Sequence, residues 1–370
     1  MAEEPRTPAM ADLVDLAFAD LAGWQADDHA EAFAAFLMSA RQMLASPPAG
    51  AGLGVDVAAL CRAAVEALDL PQPVSTLVAR RFFERRFRPV AVRPRGEPPF
   101  LTGYFEPEVD GALRPTERFR YPLYRRPDDL VDIDAGNRPS GWDIDNRFAR
   151  RDATGLLPYH DRAAIEDGAL AGRGLELVYL ADPIDAFFIH VQGSASIRLA
   201  EGGRMRVAYA AKAGHAYTSI GKRLIERGLA SPDTMTLQTL RTWLDEHPVD
   251  GAQLMRENRS YVFFAALPGN QLPALGAVAA AGVQITPGRS LAIDHRQHVY
   301  GTPIWLDARL PVGEDAALRP VRRLMIAQDT GSAIVGPARG DMFIGLGAAA
   351  GVVAGRLRHQ PEAFVMLKPI

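Results

Sequence analysis

Two aspartates near the C-terminus combine residue type, spacing and setting in a way that suits proton transfer. Asp329 stands in Ile326-Ala327-Gln328-Asp329-Thr330-Gly331-Ser332-Ala333-Ile334, and Asp341 follows 12 residues later in Arg339-Gly340-Asp341-Met342-Phe343-Ile344-Gly345. Glycines and apolar residues bracket both, and a strand, a tight turn and a second strand would carry both carboxyls to one pocket. A carboxyl wedged between Gly340 and Met342-Phe343-Ile344 is poorly solvated, which raises its pKa and favours a proton-donating form. Aspartates beside glycines also make turns for purely conformational reasons, so type and spacing alone leave both roles open.

Other constellations carry less. Asp329-Thr330-Gly331-Ser332 is the tetrapeptide of aspartic proteases, but those enzymes need two such aspartates sharing a proton, and no second Asp-Thr-Gly exists in the chain. His295 and His298 have the spacing of a metal pair without an accompanying Glu motif or cysteine, which argues against a metal site. Gly345-Leu346-Gly347 lacks the further glycine of a dinucleotide loop. What remains is a set of three aspartates, Asp294, Asp329 and Asp341. With them stand Tyr104, Gln192, Ser194, Tyr217 and Trp305, residue types that line sugar clefts by offering flat apolar faces, amides and hydroxyls. Cleaving a glycosidic bond needs at least one carboxyl group to protonate the leaving oxygen.

The elements that must position these groups fall into zones. Residues 10 to 90 read as helical: Asp27-Asp28 precede a run with Phe33, Phe36, Leu37 and Met43 on one stripe, a break follows at Ser46 to Gly52, and two helices span Val55 to Leu70 and Ser75 to Phe87. The last, together with Arg88 just beyond it, carries five arginines among apolar residues, a face for an anionic partner or a solvated one. From about residue 96 the texture is short strands and turns, with a polar excursion over 126 to 154. Phe187 to Leu199 reads as an alternating strand that turns at Glu201-Gly202-Gly203 into Met205 to Tyr209 as a hairpin. Helices follow at Ser219 to Arg227 and Thr236 to Glu246, the latter stopped by Pro248. Short apolar runs from Tyr261 onward open a second β-rich region.

The totals set outer limits. A chain of 370 residues has room for two domains, and 48% hydrophobic with 23% charged residues is an ordinary globular composition. A net charge of −3 argues against a protein-wide nucleic-acid surface. The single cysteine, Cys61, forms no internal disulfide and reads as a buried structural thiol. No apolar run has the length of a membrane span, and Met1 to Arg6 shows no charged-then-apolar signal pattern.

At the level of ordered motifs the chain resembles the membrane-bound lytic murein transglycosylase A family. The matching stretches include Leu21-Ala22-Gly23-Trp24, Phe82-Phe83-Glu84, Leu101-Thr102-Gly103-Tyr104-Phe105-Glu106-Pro107 and Tyr121-Pro122-Leu123-Tyr124. Further on come Asp185 to Ser194, Gly214 to Gly221, Asn258 to Phe264, and a closing three-aspartate module at Ser290 to Asp294, Asp329 to Ile334 and Gly340 to Phe343. Ser332, Ala195 and Ala213 depart from the residues usual there, in ways that bear on substrate preference more than on reaction.

The resemblance implies a mainly β fold with N-terminal helices. Residues 1–104 and 251–370 would form a double-psi β-barrel domain, residues 105–250 a smaller inserted β-barrel, and the glycan would lie in the groove between them. It implies a lytic transglycosylase acting on the bond between N-acetylmuramic acid and N-acetylglucosamine and leaving 1,6-anhydromuramic ends. Asp341 would be the catalytic residue, with Asp329 and Asp294 in support. Tyr104, Gln192, Gly193, Ser194, Tyr217 and Thr218 would contact a peptidoglycan strand. No cofactor, metal, nucleotide or nucleic acid is expected. The resemblance further implies a monomer that meets other cell-wall enzymes, in the periplasm or at the outer-membrane face, although neither a signal peptide nor a lipidation cysteine is read. A glycan-binding protein of the same fold without turnover is the alternative.

Overall fold

The structure, a computed structural model, describes residues 11–48, 52–134, 136–142, 147–232, 234–269, 272–313 and 316–370. The N-terminal Met1 to Arg6 stretch, and parts of the break at 46–52 and of the excursion at 126–154, lie outside the described residues. Along the chain run β1 (Ala11–Asp15), α1 (His29–Ala45), α2 (Val57–Asp69), α3 (Thr76–Arg86), β2 (Phe87–Pro94), β3 (Phe100–Glu106), β4 (Glu108–Ala112), β5 (Tyr121–Tyr124), β6 (Leu130–Asp132), β7 (Phe148–Asp152) and β8 (Gly155–Leu157). There follow α4 (Arg162–Ala164), β9 (Glu176–Leu180), α5 (Pro183–Gln192), β10 (Ser194–Leu199), β11 (Arg204–Lys212), α6 (Ile220–Glu226), α7 (Leu237–Glu246), α8 (Pro248–Glu257) and β12 (Val262–Ala266). The last stretch holds β13 (Ser290–Ile293), β14 (Pro303–Leu310), β15 (Arg319–Asp329), β16 (Arg339–Leu346), α9 (Gly347–Ala354), β17 (Arg358–His359) and β18 (Ala363–Pro369). The chain divides into two compact units, one made of the residues up to Phe105 with Pro273–Ile370, the other of Glu106–Leu272.

In the first unit the helices begin where side-chain oxygens satisfy their free N–H groups. Asp28 accepts from Ala30 N and Glu31 N, Asp56 from Ala58 N and Ala59 N, and Ser75 from Val78 N. The stripe of Phe33, Phe36, Leu37 and Met43 is buried as the spacing predicts. Phe82, Phe83 and Phe87 meet Phe33 and Phe36 mostly edge to face, each such pair contributing about 0.5–1.5 kcal/mol beyond its buried area. Four of the arginines of α3 and the start of β2 are ion-paired: Arg80 with Glu84, Arg85 and Arg86 with Glu66, and Arg88 with Asp15. Their side chains are half-buried to exposed. Cys61 is half-buried on α2 rather than fully enclosed.

Among the described residues the nine strands of this unit form one sheet in the order β1-β2-β18-β14-β15-β13-β16-β3-β17. β13 is parallel to β15 and antiparallel to β16, so strands distant in sequence lie side by side at the aspartates. Trp305 is fully buried in this core, edge to face with Trp24 at 5.2 Å. It is therefore not a sugar platform. A flat aromatic on the inward face of a central strand fills the core before it can face a ligand.

The second unit holds a six-stranded sheet, β12-β11-β10-β4-β9-β5, and a three-stranded one, β6-β7-β8. The expected hairpin is β10 and β11. The expected strand over Phe187 to Gln192 is instead helix α5. Asp182 caps it by accepting from Ile184 N at 2.8 Å, Pro183 occupies its first turn, and Gly193 ends it in the left-handed region at φ 82°. Ile184, Phe187 and Phe188 then share a buried face, a helical spacing that outweighs the short alternation. Pro248 ends α7 but also opens α8, because its missing N–H is no loss in a first turn. The unit runs on through α8 and β12, past residue 250 to Leu272.

Among the described residues neither large sheet closes into the barrel that the resemblance implied. In the first, β1 and the two-residue β17 remain edges, and in the second the edge strands β5 and β12 come together at a single bridge, Arg125 to Phe264.

Candidate active site

Strand alternation sets the geometry, since residues two apart on a strand face the same way. On β3, Thr102 and Tyr104 share a face while Gly103 faces the opposite way. A Cβ at Gly103 would come within 2.5 Å of Leu357 Cδ1 and 3.0 Å of Ala354 Cα, so glycine lets α9 approach the strand. On β16, Arg339 and Asp341 share a face, and Gly340 turns the other way, toward Leu101, Leu291 and Phe364. Ala292 on β13 pairs with Asp329 of β15 on one side and with Asp341 of β16 on the other. The two aspartates therefore occupy one rung, their backbones roughly 10 Å apart across two strand spacings.

The side chains complete a small network on that rung. Thr102 Oγ1 donates to Asp341 Oδ1 at 2.6 Å, and Arg339 Nη2 donates to Thr102 Oγ1 at 2.7 Å. Tyr104 donates its hydroxyl to Asp329 Oδ2 at 2.9 Å, while Thr330 N and Ala280 N donate to Asp329 Oδ1 at 2.8 and 3.3 Å. Among the described residues no hydrogen bond joins the two carboxyls, so they are not a proton-sharing dyad. Burial pushes the Asp341 carboxyl up to about 6; the Arg339 charge and the Thr102 bond pull it down, and Asp329 adds to the rise. Burial also raises Asp329, against the three donors that favour its ionised form. The Tyr104 hydroxyl is held well above its ordinary range by burial and by Asp329. It stays a donor at any working pH.

Asp294 stands apart from this network. It is 2% exposed, and its Oδ1 accepts from Arg296 N and Nε at 3.0 and 3.1 Å while Oδ2 accepts from Gly336 N at 2.9 Å. His298 Nε2 bonds to the Pro337 carbonyl at 2.7 Å. Together they pin the connection that carries the chain from Asp329 to Asp341. The bonds from Arg296 and Gly336 hold the Asp294 carboxyl below its ordinary range despite burial. A depressed carboxylate stabilises the fold above the ordinary carboxylate range and loses that contribution as pH falls through its folded value. Asp294→Ala is expected to cost about 2–4 kcal/mol, because buried donors lose a charged partner. Thermal melts from pH 7 downward check this: the gap to the wild type should be widest at pH 7 and shrink as the pH falls below the ordinary carboxylate range.

The remaining residues named from sequence lie in the second unit. Gln192 and Gly193 end α5 and Ser194 opens β10; all are half-buried, and a Cβ on Gly193 would meet only open space. Gly193 N donates to Ile189 O at 2.8 Å and its carbonyl accepts from Tyr209 N at 2.7 Å. Tyr217 is 36% exposed, and Thr218 N donates to Asn258 Oδ1 at 3.1 Å. No local signal in the chain marks the residue that holds this region, Arg162. It is buried, donates to Asn258 O and Ser260 O at 2.9 and 2.8 Å, approaches His190 Nδ1 at 3.2 Å and lies over the Phe187 and Tyr261 rings. One guanidinium thus joins the helix that ends in Gln192 to the loop that fixes Thr218. Thr102 and Arg339 are equally unmarked, although each falls two positions from a residue that stands out by type.

Comparison with known proteins follows the same division of the chain. The MltA specific insert domain matches residues 100–265 and the 3D domain matches residues 289–367. The crystal structure of a membrane-bound lytic murein transglycosylase from Agrobacterium tumefaciens superposes with a TM-score of 0.88 at 40% identity, covering 97% of this chain and 98% of that one. The chain belongs to the lytic murein transglycosylase A family. A curated member of the family, membrane-bound lytic murein transglycosylase A of Vibrio cholerae, is 35% identical over 265 residues, which is 70% of this chain. The match spans 62% of that relative's own length. E. coli MltA, solved with bound chitohexaose, is a family structure with a TM-score of 0.61 at 28% identity, over 79% of this chain and 78% of that one. No helix among the described residues is long and apolar enough to cross a membrane.

Proposed function

We propose that this protein is a lytic transglycosylase that cleaves the β-1,4 bond between N-acetylmuramic acid and N-acetylglucosamine in peptidoglycan. The observation that carries the reading is Asp341, a poorly solvated carboxyl lifted to about 6, on the same rung as Asp329 and bonded by a hydroxyl from a strand distant in sequence. Such a group is about half protonated at pH 6, keeps about a tenth of its acid form at pH 7, and ionises at little cost, as a residue that must serve as acid and then as base requires.

As the acid, Asp341 protonates the glycosidic oxygen while the C1–O bond breaks and its electron pair stays with the leaving N-acetylglucosamine. As the resulting carboxylate, it takes the proton of the muramoyl C6 hydroxyl while that oxygen bonds to C1. The carboxyl ends as it began, and the product is a 1,6-anhydromuramic end. The attack is intramolecular, so no positioned water and no second catalytic carboxylate are needed. Asp329 fixes Tyr104 and a turn, and Asp294 fixes the connection to β16. Tyr104, Gln192, Gly193, Ser194, Tyr217 and Thr218 are the residues we assign to the glycan. Relatives named as membrane-bound murein transglycosylases and the chitohexaose complex of E. coli MltA support a peptidoglycan strand as substrate. They also support action at the cell wall, in the periplasm or on the outer-membrane face. A zymogram on isolated murein separates this reading from a glycan-binding protein without turnover: a cleared band supports the enzyme, and bound but uncleared murein supports the binder.

A further inference from the structure

A single carboxyl that serves as acid and base has two oxygens, and the network around Asp341 treats them differently. Oδ1 receives the Thr102 hydroxyl at 2.6 Å, whereas among the described residues no hydrogen bond reaches Oδ2. The Thr102 hydroxyl has one proton and two partners, Asp341 Oδ1 and Arg339 Nη2 at 2.7 Å. A guanidinium only donates, so Arg339 occupies a lone pair of Thr102 Oγ1 and the hydroxyl proton points to the carboxyl. Arg339 is itself held in place. It lies over the Phe100 ring at 5.4 Å, and Nη1 donates to the carbonyls of Phe100 and Gly340. Among the described residues it makes no ion pair, so no carboxylate of its own neutralises its charge.

We propose that Arg339 is a positioning residue: by donating to Thr102 it commits that hydroxyl's proton to Asp341 Oδ1 and leaves Oδ2 as the oxygen that gives up and takes back the catalytic proton. The inference rests on reading Asp341 as the acid. In the first half of the cycle the Oδ2–H bond breaks as the proton passes to the leaving oxygen. In the second half Oδ2 takes the proton of the C6 hydroxyl. The Thr102 bond persists throughout and strengthens when the carboxyl is ionised, since bonds to a charged acceptor are the stronger kind. The groups facing Asp341 are Arg339 on its own strand, Thr102 and Tyr104 from β3 and Asp329 from β15. β13 offers only Ala292. Tyr104 is engaged by Asp329, which leaves the Arg339–Thr102 pair as the device that favours the ionised form.

The test is the pH profile of kcat/KM on isolated murein for Arg339→Gln, Thr102→Val, Thr102→Ser and the double variant R339Q/T102V, with thermal melts to confirm folding. Arg339→Gln is expected to move the alkaline limb upward by about one pH unit, because a cation that favours the carboxylate is gone. Thr102→Val should move it the same way, and Thr102→Ser, which keeps the hydroxyl, should leave it in place. The double variant should shift by less than the sum, since both changes break one relay. A rate that falls equally at every pH with the limb unmoved, or shifts that add in full, would overturn the proposal. Should Arg339→Gln fail to fold, the contrast between Thr102→Val and Thr102→Ser decides the matter in the same way. Failure of the underlying reading looks different: Asp341→Asn would then retain activity whatever these profiles show.

Discussion

Replacing Asp341 with Asn is expected to lower cleavage of isolated murein by roughly 1,000-fold or more, since one group supplies both proton transfers and each is worth about 100- to 10,000-fold. The fold should survive, and the sign of the linkage says why. A carboxyl whose folded pKa is raised, here to about 6, costs nothing below the ordinary carboxylate range. Its penalty builds as pH rises from the ordinary carboxylate range to about 6 and stays at its full size above that, because folding then buries a group that is ionised when unfolded. The amide removes that penalty, so the variant should melt no lower than the wild type at pH 7. In the wild type, kcat/KM should fall about tenfold per pH unit above about 6, as the acid form disappears. A rate profile on murein, read beside a melting curve, checks both statements. Wild-type turnover by Asp341→Asn would remove the assignment of the acid.

The largest stability effect is expected at Arg289, the residue immediately before β13. It is 2% exposed and forks onto Asp27 at 2.8 and 3.0 Å, with a further bond to Glu31 at 3.1 Å and one to Leu324 O at 3.0 Å. Asp27 Oδ2 also accepts from Leu324 N at 2.8 Å. This buried cluster joins the start of α1 to β13 and β15, the strands that carry Ala292 and Asp329. Arg289→Met leaves the Asp27 carboxylate buried without its partner, which costs about 3–5 kcal/mol and should lower the melting temperature by roughly 10 °C. Adding Asp27→Leu should recover part of the loss, because no charge is then left alone in the core. A change of less than about 2 °C in the single variant would mean that water reaches Asp27 and that the pair does not hold the unit together.

How much of this is legible in the sequence depends on the range of the interactions. Local signals read well: Asp27-Asp28 and Ser75 as helix starts, Gly202-Gly203 as the turn of the hairpin, and the Asp329-to-Asp341 stretch as two strands and a connection. Where two local signals compete, the alternation of a few residues misleads. Phe187 to Gln192 alternates like a strand, but Asp182, Pro183 and Gly193 cap it as a helix. Pro248 stops one helix and starts the next. Contacts made by distant strands stay hidden. Thr102 and Asp341 are 239 positions apart and Arg289 and Asp27 are 262 apart; only the strand order brings them together. Trp305 shows the converse error, since an aromatic of the right type for a sugar is in the core.

Which oxygen attacks C1 is the heart of the mechanism, and the products record it directly. Purified murein digested with this protein should yield muropeptides that end in 1,6-anhydromuramic acid, lighter by one water than hydrolytic ends when weighed by mass spectrometry. The same digest with Asp341→Asn should release almost nothing. Reducing muramic acid ends in the wild-type digest would contradict this mechanism, because they would mean that water, and not the C6 hydroxyl, completes the reaction.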